Sequence, residues 1–412
     1  MTRSLTFVAA LTGAIAALAG PAAAQAPGTQ YPSQKIVFTD PQSGRTVWRM
    51  TTDGSQRSAF QAAAGDQSAE SRSFSPDSTR IVFAKSGIAP VKPDGVYVMD
   101  LASGVETFVA VATWSATPIF ARDGSGEIYY QTRSGTSVVI KAVNPTTFVV
   151  RTVVSIPNTQ WQEKLEVNAD GSLLSAHPRM SDGKYRTVVF TPQGAIHANW
   201  TVSGPTSDDG ALWSPTDPKW LCAVRNGQGR FWHVDTLATK AISCVPAHTT
   251  WHPNGAWYFD TAYLKNVDSG AHILTGTGME PIHPTINPAE AALGTGARIL
   301  ADDRNWFAGN TGRPRLYAAP LSEFMPAVVK GNFRIPSRLL AVHYSSMENN
   351  SAHVHAHWSF DGQYVLWTTD TKDLRDGTPP GGTGGGLDLF VVPLGSPAPP
   401  PPAAPSGLLV SQ

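Results

Sequence analysis

The chain has 412 residues, enough for one large β-domain or for two domains. Its 31 basic and 31 acidic residues balance, which argues against a protein that binds nucleic acid or a membrane surface through bulk charge. The 12 Trp, 37 Gly and 33 Pro point to an all-β chain dense in turns and away from a helical one.

Residues 1–24 read as an export signal. Arg3 supplies a positive start, the apolar run LTFVAALTGAIAALAG follows, and Ala22 and Ala24 make an A-x-A cleavage site, so the mature chain is expected to start near Gln25. The alternative is a membrane anchor, but the apolar run is short and ends in small residues. No later stretch reaches the roughly 20 apolar residues that span a bilayer. The expectation is a periplasmic or secreted protein with no membrane attachment after cleavage and no nucleic-acid partner.

From residue 25 to 395 one module recurs: a turn of the aromatic-Ser-Pro-Asp-Gly type, then a short alternating strand. Copies read RSFSPDSTRIVFAKS from Arg72, PIFARDGSGEIYYQT from Pro118 and LEVNADGSLLSAHP from Leu165. They continue as ALWSPTDPKWLCAVR from Ala211, TTWHPNGAWYFDTAY from Thr249 and AHWSFDGQYVLWTTD from Ala356. The widest gap, after Asn254, leaves room for a degenerate copy around PTINPAEAALGTGARILAD. Each unit is a small antiparallel sheet that cannot bury both of its faces alone, and packing such sheets around an axis solves this. About 370 residues at roughly 50 per blade predict a seven-bladed β-propeller. The repeat resembles those of TolB-type propellers. A β-sandwich or solenoid is the alternative.

Cys222 and Cys244 flank a turn-containing segment. In an oxidising compartment they could pair across neighbouring strands, and otherwise they are two buried thiols. Residues 396–412 form a proline-rich tail whose last stretch, APSGLLVSQ, resembles the opening strand of a fibronectin type III domain.

The stretch NNSAHVHAHWSFDGQYVLWTTD places His353, His355 and His357 at alternating positions, so a regular strand would present all three on one face. Imidazoles gathered this way suit Zn²⁺, Mn²⁺ or similar ions. An H-x-H pair alone is also found on inert surface strands.

This segment resembles the last blade of oligogalacturonate lyases, pectin-degrading propellers that carry a divalent metal, typically manganese. The resemblance implies that His353 and His355 are metal ligands and that Asn350 stands where the family has a ligating glutamine. His357 has no counterpart and is expected to be a packing histidine, with an extra ligand as the alternative. HTTWHPNGAWYFDTAYLKN resembles the family stretch with an active-site histidine, here His248. EPIHPTIN resembles the stretch with the third metal histidine, here His283, and Arg230 in GRFWHVD takes the place of an arginine that contacts the acidic substrate. The ordinary alternatives are a structural histidine for His248, a plain turn for His283 and a surface ion pair for Arg230.

Two departures stand out. Gly210 occupies the place of a family pocket histidine, and GDQSAESRSFSPD lacks the family's His-Arg-aromatic cluster. The resemblance implies β-elimination on a uronate-containing oligosaccharide, with Mn²⁺ as the first candidate metal and Zn²⁺ as the second. The competing expectation is a non-catalytic TolB-like binding or scaffold propeller. A metal-dependent hydrolase is least favoured, since no G-x-S-x-G or HExxH motif is present.

Overall fold

The middle strands of the repeats, such as Arg80–Lys85 and Gly95–Asp100, are near-continuous runs buried on both faces, as strands are where sheets stack against both sides of them. In a computed structural model this gives seven antiparallel sheets around one axis. The structure describes residues 25–53, 73–86, 92–113, 116–202, 211–244, 249–260, 263–275, 284–302, 315–329, 338–345, 354–369, 378, 380 and 387–395. The export-signal and tail segments, 1–24 and 396–412, lie outside the described residues, as do His248, His283, Asn350, His353 and Gly210.

Blades two to six each use four consecutive strands. Their inner strands are Ile119–Phe120, Thr159–Val167, Leu212–Trp213, Thr249–Trp251 and Thr285–Ile286. In blade one the inner position is held by the isolated bridge of Phe74 to Ile81. The degenerate copy predicted after Asn254 is blade six, in which a 3-10 segment, Pro288–Gly296, replaces the short turn. One α-helix among the described residues, Leu321–Val329, packs Leu321, Phe324 and Met325 into that blade's core. No helix among them is long and apolar enough to cross a membrane.

Blade seven closes the ring. Its strands His357–Trp358, Tyr364–Thr369 and Asp388–Pro393 come from the C-terminal end, and Thr46–Arg49 and Ile36–Thr39 from the N-terminal end complete it. The seam is held by a buried ion pair, Arg49 Nη2 to Asp388 Oδ2 at 2.5 Å.

Neighbouring blades interlock at two levels. Buried indoles donate across three of the seven interfaces: Trp213 to Ser175 Oγ at 3.1 Å, Trp251 to the Leu212 carbonyl at 3.4 Å and Trp358 to the Thr285 carbonyl at 3.2 Å. This accounts for tryptophan at that repeat position, because a buried N–H needs an acceptor and a large ring fills the wedge between sheets. Below them the turns pack on one another. A Cβ on Gly255 would lie 1.8 Å from Thr216 Oγ1, and one on Gly362 would lie 2.3 Å from Asn287 Oδ1. With φ near +70° as well, these positions accept only glycine without strain.

Of the two readings left open for the cysteines, the structure shows the disulfide. Cys222 of the strand Trp220–Arg225 bonds to Cys244, just past the strand Thr239–Ser243, with the strand Gln228–His233 between the two in the sheet.

Candidate active site

The turns fix a common frame for all seven repeats. One residue from each blade, from Pro76 in blade one to Phe360 in blade seven, lines an axial cavity of about 300 Å³ on the turn side. Counting five residues back from each of these positions reaches Ser71, Thr117, Lys164, Gly210, His248, His283 and His355. The histidines singled out in three different motifs, and the glycine that replaces a fourth, thus occupy one repeat position. In sequence it lies five residues ahead of the turn position in every repeat.

Two described members of this ring share a local distortion. Thr117 has φ 40° and His355 has φ 43°, the left-handed region that β-branched and bulky residues avoid. In blade two the Gln131 N–H donates to the Ala116 carbonyl at 2.8 Å, and in blade seven the Thr368 N–H donates to the Val354 carbonyl at 3.1 Å. Each of these two inner strands therefore carries an extra residue at the ring position. In blade three the register likewise slips between Gln162 and Leu165, around Lys164. Such bulges re-aim a side chain and recur beside functional sites.

This distortion alters the reading of the histidine cluster. The regular strand starts only at His357, so strand alternation does not extend back through His355. His357 is buried, its Nδ1–H donates to the His355 carbonyl at 3.1 Å, and its ring meets Phe74 edge-on at 5.7 Å. These contacts fit a packing histidine that joins blade seven to blade one. His355 is itself 6 % exposed. Next to it, the Ala356 carbonyl accepts from Thr285 Oγ1 at 3.3 Å, which ties the inner strands of blades six and seven together.

Arg230 lies on the third strand of blade four, half-buried, paired with Ala223 on one side and Ser243 on the other. Among the described residues its guanidinium makes no hydrogen bond or ion pair. No group of three or more His, Cys, Asp or Glu among the described residues could hold a metal ion; four of the five residues expected at the metal and the base, His248, His283, Asn350 and His353, lie outside them.

The fold is that of a seven-bladed β-propeller. It is similar to that of an oligogalacturonate lyase from Vibrio parahaemolyticus, with TM-score 0.63 at 12% identity, covering 90% of this chain and 99% of that one. It is also similar to an oligogalacturonate lyase in complex with manganese, with TM-score 0.59 at 14% identity over 90% and 98% of the two chains. No protein-family model and no curated protein sequence matches the chain. At these identities the likeness is one of fold.

Proposed function

We propose that the protein is a metal-dependent lyase that cleaves uronate-containing oligosaccharides by β-elimination, in the periplasm or outside the cell. The observation that carries this reading is the shared repeat position of His248, His283 and His355 on three consecutive blades. Fold similarity to two oligogalacturonate lyases, one of them in complex with manganese, supports it. The disulfide supports an oxidising compartment.

The donor set fits a divalent ion. His283, His353, His355 and Asn350 would hold it through three neutral imidazoles and an amide oxygen, which suits Mn²⁺ or Zn²⁺. A divalent ion there would withdraw charge from the sugar carboxylate and so acidify the adjacent C5 proton. Neutral His248 would take that proton, being largely unprotonated above its ordinary pKa of about 6.5. Arg230, with five donors in a planar fork, would orient an acidic sugar. Expulsion of the C4 oxygen then completes the elimination and leaves an unsaturated uronate.

A second reading rests on Gly210, which leaves blade four without a side chain at the ring position. It makes the protein a metal-binding propeller that recognises acidic sugars without cleaving them. Incubating metal-loaded protein with pectic, alginate and ulvan oligomers, and following the ultraviolet absorbance of the unsaturated product, tests both. Absorbance growth that a chelator stops establishes the lyase. No growth on any oligomer, with metal bound, leaves the binding protein.

A further inference from the structure

We propose that the Cys222–Cys244 disulfide is a positioning device for Arg230: it clamps the strand that carries this arginine and so fixes where the guanidinium meets an acidic sugar. The inference rests on the reading of Arg230 as the residue that orients the substrate, and deepens it. The elimination chemistry itself makes no use of the two sulfurs.

The strand register places the clamp. Gln228–His233 lies between Trp220–Arg225 and Thr239–Ser243, and Arg230 pairs with Ala223 on one side and Ser243 on the other. Each cysteine is the chain neighbour of one of those partners. Cys222 pairs with Phe231, and the Cys244 N–H donates to the Gly229 carbonyl at 3.1 Å. The bridge therefore crosses the strand at the two residues that flank Arg230. Alternation along the strand puts it behind the arginine. Cys222, Phe231 and Cys244 pack with Trp251 and Tyr258 of blade five, whereas Ala223 and Trp232, on the face that Arg230 shares, pack with Val189 and Trp200 of blade three.

Two observations explain why a clamp matters at this strand. The outer strand is weakly held: its residues alternate between exposed and half-buried, and its pairing slips between Arg230 and Trp232. Arg230 itself has no hydrogen bond or ion pair among the described residues, so the backbone alone sets where its side chain starts. A binding group held in this way loses affinity when its frame shifts by about 1 Å. Without the S–S bond, Thr239–Ser243 is tied to Trp220–Arg225 only through the strand between them, and the strand of Arg230 gains freedom.

The test measures trigalacturonate binding by calorimetry on mature, Mn²⁺-loaded protein: wild type, Arg230→Ala, the pair Cys222→Ala with Cys244→Ala, and all three changes together. Arg230→Ala should weaken binding roughly 10–100-fold, the loss of a charged hydrogen bond. The cysteine pair should weaken it roughly 3–10-fold with the metal retained, and should have no further effect once Arg230 is alanine, because it acts through that residue. A bridge that only stabilises the fold would leave Kd unchanged or weaken it equally in both backgrounds. Either result overturns the positioning role while the reading of Arg230 stands. If Arg230→Ala binds as tightly as wild type, or wild type does not bind, the reading of Arg230 falls and the inference with it. Should the alanine pair fail to melt cooperatively, Cys222→Val with Cys244→Val takes its place. If that pair fails too, the bridge is structural and the positioning role is again overturned.

Discussion

The Ser78 hydroxyl accepts a hydrogen bond of 3.1 Å from the backbone N–H of Asp361, joining turns 283 residues apart. Ser78 stands where blades two, three, five and seven have glycine, and like them it adopts positive φ, 58°. A side chain at that position meets the turn of the preceding blade, which for blade one is blade seven. Ser78→Ala keeps the backbone strain and removes the acceptor, so it should cost roughly 0.5–1.5 kcal/mol. Ser78→Gly relieves the strain and should cost less. Urea denaturation of the two variants checks the order.

Four buried charges staple the same seam. Lys85 Nζ meets Asp53 at 2.8 Å and Glu106 at 2.7 Å, and Lys92 Nζ meets Asp53 at 2.7 Å and Glu106 at 2.8 Å. Removing one member strands the others, so Glu106→Gln should destabilise by roughly 3–5 kcal/mol. Replacing Lys85 and Glu106 together by Met and Leu should cost less than the two single changes added, as a double-mutant cycle would show.

The pH limits of that cluster follow from its two shifted groups. Burial raises the Asp53 carboxyl, but Lys85 and Lys92 outweigh it and the net shift is downward. Its contribution is present above the unfolded value of about 3.9 and is lost as pH falls through the lower folded value. Burial lowers the Lys92 ammonium, but Glu106 and Asp53 outweigh it and the net shift is upward. Its contribution is present below about 10.4 and is lost as pH rises through the higher folded value. Melting temperature should therefore fall below about pH 4 and above about pH 10, and the Asp53→Asn protein should lack the acid limb from this cluster.

His252 sets a milder limb. It takes the place of the turn serines Ser75, Ser214 and Ser359. Its Nδ1 accepts from the Asn254 N–H at 3.2 Å, and its Nε2–H donates to the Gly294 carbonyl at 2.9 Å. Burial drives its pKa below the ordinary value, outweighing the bonds to Gly294 and Asn254. A histidine held neutral contributes stability above its unfolded pKa of about 6.5 and loses it as pH falls toward the folded value. The stability of wild type should drop between pH 7 and 5, and His252→Ser should flatten that drop.

For the metal, simultaneous His353→Ala and His355→Ala should abolish Mn²⁺ binding by elemental analysis of untagged protein, whereas His357→Ala should keep the ion and lower stability. Retention of one ion per chain in the double variant would remove these two histidines from the site.

The turns were legible because their chemistry is local: most carry a capping side chain followed by proline, and five of the seven place Ser78 or a glycine at positive φ two residues after the proline position. Blade six was found in spite of its 3-10 segment because Pro284–Asn287 keeps the strand-turn pattern. The histidine motifs were legible in order, but their common repeat position became plain only once the turns were superimposed around the axis. The bulge at His355 was hidden, since alternating residues read the same whether or not the chain twists through them. Lys164 carries no motif, and Asp53, Lys85, Lys92 and Glu106 meet across segments far apart in sequence, where no periodicity reports a contact. The division of the N-terminal strands between Gln30–Tyr31 in blade one and Ile36–Arg49 in blade seven was hidden for the same reason.

The hairpin of Ile36–Thr39 and Thr46–Arg49 is made early but finds its neighbour, Asp388–Pro393, only when nearly the whole chain exists. Until then one of its edges offers unpaired backbone groups to any compatible strand. A second molecule at the same stage presents the same vacant place beside its own Asp388–Pro393, so the hairpin can complete either ring. Folding is thus a competition between intramolecular closure and strand exchange, and concentration decides it. Dilute refolding should give monomeric rings, and concentrated refolding should give exchanged dimers that are slow to separate, because release requires breaking the buried Arg49–Asp388 pair.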